Sequence, residues 1–123
     1  MNYEMTEQPE ASVRPGPHAI LFDLDGTLID SAPDFYEVVN SLRRADDLPE
    51  LDTGTIREQV SNGGAALTCL TWGIDAQHPQ FADYRSRFLD HYVNYLGTAS
   101  KLFPGFRPVL EELELLDIRW GIV

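Results

Sequence analysis

The chain has 123 residues, of which 43% are hydrophobic and 24% charged, a composition that builds a globular core rather than a disordered or fibrous protein. Twenty acidic against nine basic residues give a formal charge of -11, which argues against nucleic acid or an anionic membrane surface as partner, since both are held through basic patches. The single cysteine, Cys69, excludes an internal disulfide and reads as a small apolar helix residue, so the balance fits a cytoplasmic protein. Residues 1–17 carry Glu4, Glu7 and Glu10 with three prolines and no apolar run, and read as a disordered leader.

Residues 18–24 form the first organised stretch, a short buried strand in which Ala19, Ile20, Leu21, Phe22 and Leu24 are apolar and Asp23 is the only charge. Side chains alternate along a strand, so Asp23 and Asp25 project to one side near its C-terminal end, where open α/β sheets bind ligands. Gly26 lets the backbone turn sharply, and Thr27 adds a hydroxyl beside the carboxylates. Together these residues suit a metal and a phosphate. In so acidic a chain a phosphate needs a local cation to approach two carboxylates, and magnesium is the natural one.

Ser31 followed by Pro33 and Asp34 has the spacing of a capped helix start, with Asp34 read as a capping acid. Phe35, Val38, Val39 and Leu42 then make an apolar stripe that predicts a helix to about position 45, broken by Asp46-Asp47-Leu48-Pro49. A second helix is predicted over 53–60, capped by Thr53, and Ser61-Asn62-Gly63-Gly64 stops it. Asn62, Gly63 and Gly64 read equally as a substrate loop or a plain turn between helices. A third helix over 65–72 ends at Gly73. Pro79 opens a fourth, whose stripe of Phe81, Tyr84, Phe88, Tyr92 and Tyr95 reads as core, with Gly97 as its C-terminal stop. Arg43, Arg44, Arg85 and Arg87 read as solvated helix faces, and His18, His78 and His91 show no mutual metal-ligand spacing.

Leu102-Phe103-Pro104-Gly105 returns the chain to a helix over 106–116, with Val109, Leu110, Leu113 and Leu116 inward, and a second strand over 118–123 is predicted parallel to the first. The organisation is α/β, with a partial sheet core from 18–33 and 102–123 and a helical cap from 34–101. Two parallel strands leave open edges and faces, so the chain reads as the N-terminal part of a longer protein.

The stretch Asp23-Leu24-Asp25-Gly26-Thr27 resembles the DxDGT motif of the haloacid dehalogenase-like superfamily, matching at every position. Its flanks, Leu21-Phe22 before and Leu28-Ile29-Asp30-Ser31-Ala32-Pro33-Asp34 after, are similar to the phosphoglycolate phosphatase family within it. Leu102-Phe103-Pro104-Gly105 and Trp120-Gly121-Ile122-Val123 are also similar to phosphatases of N-acetylmuramic acid 6-phosphate. The resemblance implies a Rossmann-like parallel sheet, only its first strands present, with an inserted all-helical cap. It implies a magnesium-dependent phosphatase of a small phosphomonoester, such as 2-phosphoglycolate or a sugar phosphate, working through an aspartyl-phosphate. Asp23 is then nucleophile and metal ligand, and Asp25 is acid, base and metal ligand. Leu24, through its backbone N–H, and Thr27 hold the phosphate. A phosphosugar mutase of the same superfamily, or a non-catalytic remnant, are the alternatives.

Overall fold

The computed structural model describes residues 15–123, so the expected leader lies outside the described residues except for positions 15–17. Strand β1 (Ala19–Phe22) leads through a tight turn to a two-residue strand, β2 (Ile29–Asp30). Helices α1 (Ala32–Ala45), α2 (Thr53–Val60), α3 (Gly63–Trp72) and α4 (Phe81–Tyr92) follow. The chain returns through β3 (Lys101–Leu102), runs up α5 (Phe106–Leu115) and enters β4 (Arg119–Ile122). Among the described residues no helix is long and apolar enough to cross a membrane.

The helices gather around α1. Its stripe meets Ile56 of α2, Leu67 of α3 and Phe88 of α4, so that Val38, Val39, Leu42, Ile56, Leu67 and Phe88 form one buried cluster. Phe35 stacks on Tyr92 at 4.7 Å between ring centroids, and Trp72 lies 4.7 Å from Tyr84. The aromatic stripe of α4 is therefore core, as its spacing predicts. Asp52, one residue before the expected cap, closes the start of α2 by accepting from the Thr55 N–H at 2.9 Å and the Thr55 hydroxyl at 2.6 Å. Gly73 ends α3 in the left-handed region at φ 66°, where a residue without a Cβ is unstrained. Gly97 has φ 75° but stands beyond Val93, the actual C-cap of α4.

Three polar residues behave differently from their sequence reading. The Ser31 side chain makes no capping bond, and Asp34 is no capping acid. Asp34 is 1% exposed and accepts from the N–H groups of Gly97, Ala99 and Ser100 and from the Ser100 hydroxyl, at 2.6 to 2.9 Å. The chain leaving the helices passes over the start of α1, and a carboxylate meets its N–H groups there. Arg43 is buried rather than solvated, because the loop after α1 folds back over it. Its guanidinium donates to the carbonyls of Pro49 at 2.5 Å and Thr71 at 2.8 Å. Arg87 grips Asp46 through two bonds of 2.7 Å and covers the Trp72 ring at 5.4 Å. Arg44 stays on the solvent side, paired with Glu37 and Glu50.

β1 and β4 pair in parallel, Ala19 opposite Arg119 and Phe22 opposite Ile122, with α5 as the crossover. Phe22 meets Phe106 edge-on at 5.7 Å and Trp120 at 6.4 Å. Only the side of the sheet carrying Phe22 is covered by α5, and the expected buried strand is accordingly half bare, with Leu21 65% exposed. For the same reason the apolar stripe of α5 is narrower than its spacing predicts. Leu113 is buried and Leu110 half-buried, whereas Val109 and Leu116 are exposed.

β2 and β3, which the sequence reading does not contain, pair antiparallel with Ile29 opposite Leu102 and Asp30 opposite Lys101. A further bond from the Phe103 N–H to the Leu28 carbonyl, 3.1 Å, extends this ribbon. It ties the entrance of the helical insertion to its exit. The ribbon, together with Asp34, fixes where the helices stand relative to the end of β1.

Candidate active site

The end of β1 is shaped by its own backbone. Beyond Phe22 the chain curls around the carbonyl of Leu24, which accepts from the N–H groups of Thr27 at 3.4 Å, Leu28 at 3.0 Å and Ile29 at 3.0 Å. Gly26 supplies the bend at φ 73°, a value that strains any residue with a Cβ, and its own N–H reaches the Ile29 carbonyl at 3.0 Å. Leu28, 3% exposed, plugs the turn into the body of the protein. The N–H groups of Leu24 and Asp25 are not among those spent inside the turn.

Asp23 and Asp25 leave this turn exposed to solvent. The Thr27 hydroxyl donates to Asp23 Oδ2 at 3.2 Å, so Thr27 orients the first carboxylate. Neither aspartate takes part in an ion pair among the described residues, whereas the neighbouring Asp30 does, with Arg57. Both carboxylates are therefore open to a cation from solution. Two carboxylates suit magnesium, which takes one or two of them and fills its other positions with water and phosphate oxygens. Among the described residues no third acidic, histidine or cysteine side chain joins them in a cluster.

Asp25 and Gly26 form one wall of a cleft of about 450 Å³. Asp30, Ser31 and Ala32, where β2 passes into α1, line it as well, with Phe103 from the return segment. α2 and its end contribute Arg57, Val60 and Ser61. A larger cleft of about 640 Å³ lies between α1 and α4, lined by Asp83, Ser86, Arg87, Asp90, His91 and Asn94. It includes neither Asp23 nor Asp25, whereas the smaller cleft includes Asp25, with Asp23, Leu24 and Thr27 standing beside its lining rather than in it.

The expected substrate loop is only partly in this position. Ser61 lines the cleft, but Asn62, Gly63 and Gly64 do not, and the two glycines open α3 rather than forming a loop. Arg57, which the sequence reading passes over, does line it. Its Nε donates to the Tyr36 hydroxyl at 2.8 Å and its Nη2 to Asp30 at 2.6 Å, and the Asp30 bond, then the Tyr36 bond, raise its already high pKa. The one available signal is that Arg57 is the only Lys or Arg between Arg44 and Arg85. Burial pushes the Tyr92 phenol up, and the negative charges of Asp25 and Asp34 add to that shift.

A short parallel sheet with a helical insertion after its first strand, and paired aspartates where that strand ends, is the plan of a Rossmann-like α/β domain with an inserted helical cap. The chain belongs to the haloacid dehalogenase-like hydrolases, whose family model matches residues 17–123. It is 35% identical over 105 residues to the N-acetylmuramic acid 6-phosphate phosphatase of Pseudomonas aeruginosa, covering 85% of this chain and 46% of the relative. It is 39% identical over 108 residues to the phosphoglycolate phosphatase of Xanthomonas campestris pv. campestris, covering 87% and 48%. The chain thus spans about half the length of the curated relatives it matches. The crystal structure of a predicted phosphoglycolate phosphatase from Haemophilus somnus 129pt superimposes with a TM-score of 0.62 at 26% identity, over 87% of this chain and 51% of that one.

Proposed function

We propose that this chain carries the nucleophile and the cap of a magnesium-dependent phosphatase acting on a small phosphomonoester. The observation that carries the reading is the turn after β1, which holds Asp23 and Asp25 two residues apart and unpaired with any basic side chain among the described residues, with Asp25 lining the cleft. The nucleophile is the Asp23 carboxylate, oriented by Thr27. One of its oxygens attacks phosphorus as the bond to the leaving oxygen breaks, and Asp25 gives that oxygen a proton, leaving an aspartyl-phosphate. Water then attacks the same phosphorus, Asp25 takes its proton, and inorganic phosphate leaves with the Asp23 carboxylate restored. The backbone N–H groups of Leu24 and Asp25 face the phosphate oxygens, and the Thr27 hydroxyl joins them only by turning away from Asp23. The carboxylate of Asp23 and the backbone carbonyl of Asp25 would hold magnesium, which would supply positive charge against the phosphate.

The two relatives are named for phosphoglycolate and for N-acetylmuramic acid 6-phosphate, which share a phosphomonoester on a molecule that also bears a carboxylate. We take substrates of that size for this chain, on the strength of the similarity and the cleft of about 450 Å³. The test is Asp23→Asn in the full-length gene product. The change keeps the side chain's shape but removes the attacking oxygen, so phosphate release should fall by several orders of magnitude and no phosphoenzyme should be trapped. A variant retaining more than about a tenth of the rate would remove Asp23 from this role. Release of free phosphate, rather than an isomerised sugar phosphate, separates a phosphatase from a phosphosugar mutase.

A further inference from the structure

The turn after β1 accounts for one end of a substrate, and the rest of the molecule must occupy the cleft beyond Asp25. Among the described residues lining that space Arg57 is the only cation. Its place is built rather than loose. Asp30 and Tyr36 each accept one of its N–H groups, at 2.6 and 2.8 Å, and the guanidinium lies 5.9 Å from the centre of the Tyr36 ring. A guanidinium carries five N–H groups, so these bonds leave three, both of those on Nη1 included, outside the hydrogen bonds of the described residues.

A fork held on one edge and free on the other is suited to a planar anion, which it can grip with two parallel bonds. The cleft has acute need of such a group, because Asp25 and Asp30 also line it and would otherwise repel any second anion on the substrate. Val60, Ala32 and Phe103 offer apolar surface only. We propose that Arg57 is a specificity-determining residue that binds a carboxylate borne by the substrate beyond its phosphate. Asp30 and Tyr36 are positioning residues that aim the fork. The inference rests on the phosphatase reading above and names a specificity residue of that same site.

The test compares 2-phosphoglycolate with ethyl phosphate, which puts a methyl group in place of the carboxylate, in the full-length gene product with magnesium. Asp30 already shares the charge of Arg57, so the loss should sit toward the lower end for charged hydrogen bonds. The ratio of kcat/KM for the two substrates should fall about 10- to 30-fold in Arg57→Met. Arg57→Lys should move it less, because a point charge remains while the fork is lost. A ratio that stays put in both variants overturns the proposal, including the case where both substrates suffer equally because Arg57 serves the phosphate or the fold. Calorimetry keeps binding apart from turnover. In an Asp23→Asn background, adding Arg57→Met should weaken 2-phosphoglycolate binding by a similar factor. Binding that depends on Arg57 in a protein that never releases phosphate would retain the carboxylate site and sink the phosphatase reading. Phosphate release with an unmoved ratio would do the reverse. Should Arg57→Met fail to fold, competition in the unaltered protein decides, since phosphonoacetate should inhibit at least about tenfold better than ethylphosphonate, and equal inhibition overturns the assignment.

Discussion

The helical cap and the strand layer solve the problem of burial differently. In the cap, four helices close around Val38, Val39, Ile56, Leu67 and Phe88, none of which reaches solvent. In the strand layer α5 covers one side of the sheet, while Leu21, Leu115, Leu116, Ile122 and Val123 remain between 51% and 82% exposed. The proposed chemistry sits on the poorly covered layer, at the end of β1. Its geometry is held from the cap side instead, by the β2 and β3 ribbon, the Asp34 knot and the Arg57 to Asp30 pair. Within this chain, burial is concentrated in one region and the proposed reacting groups stand in the other.

Truncation in each layer gives the sharpest break of that contrast. Phe88→Ala empties the centre of the cap and should cost about 3 to 5 kcal/mol in urea denaturation, whereas Phe22→Ala, half-buried under α5, should cost less than half as much. Equal losses would mean that the two layers unfold as one unit of uniform packing. Asp34→Asn tests the tie between the layers. Burial by itself raises the Asp34 carboxyl, but the Ser100 hydroxyl and the N–H groups of Ala99, Gly97 and Ser100 outweigh it and hold the pKa below its ordinary value. A folded-state pKa below the unfolded one adds stability that is fully present above about pH 3.9 and is lost as pH falls through the depressed value. Asp34→Asn should therefore cost about 2 kcal/mol at neutral pH. It should also flatten the acid limb of stability, followed by chemical denaturation from neutral pH downward. An unchanged acid limb would remove Asp34 from that tie.

Leu21→Lys carries the smallest effect on stability, within about 0.5 kcal/mol, because the side chain already faces solvent. Its consequence is on association. Residues 1–123 produced alone should self-associate through their exposed apolar strand and helix faces, and Leu21→Lys should shift light scattering toward monomer. A monodisperse unsubstituted monomer would show that the bare sheet face is harmless.

Local chemistry made much of this legible beforehand. The paired aspartates, the bend at Gly26, the stripe of α1 and the stop at Gly73 all follow from neighbours a few residues apart. A period, a turn and a strand end are properties of short stretches, and a sequence displays them directly. The residues misread or missed have partners far along the chain. Asp34 binds groups more than sixty positions away, Arg43 reaches Thr71, and Arg57 reaches back to Asp30. The same side chain on an isolated helix would be a cap or a solvated charge, and only the folded neighbours make it a knot, a strut or a cleft wall.

The sequence alone thus determined the helices, the two longer strands and the turn after β1, because backbone propensity and apolar periodicity act over one or two turns of chain. Tertiary structure alone decided which charges are buried, that Asn62, Gly63 and Gly64 stand off the cleft, and that Arg57 enters it. The physical reason is that a charge or a glycine takes its environment from the surfaces folded against it, and those surfaces come from distant segments.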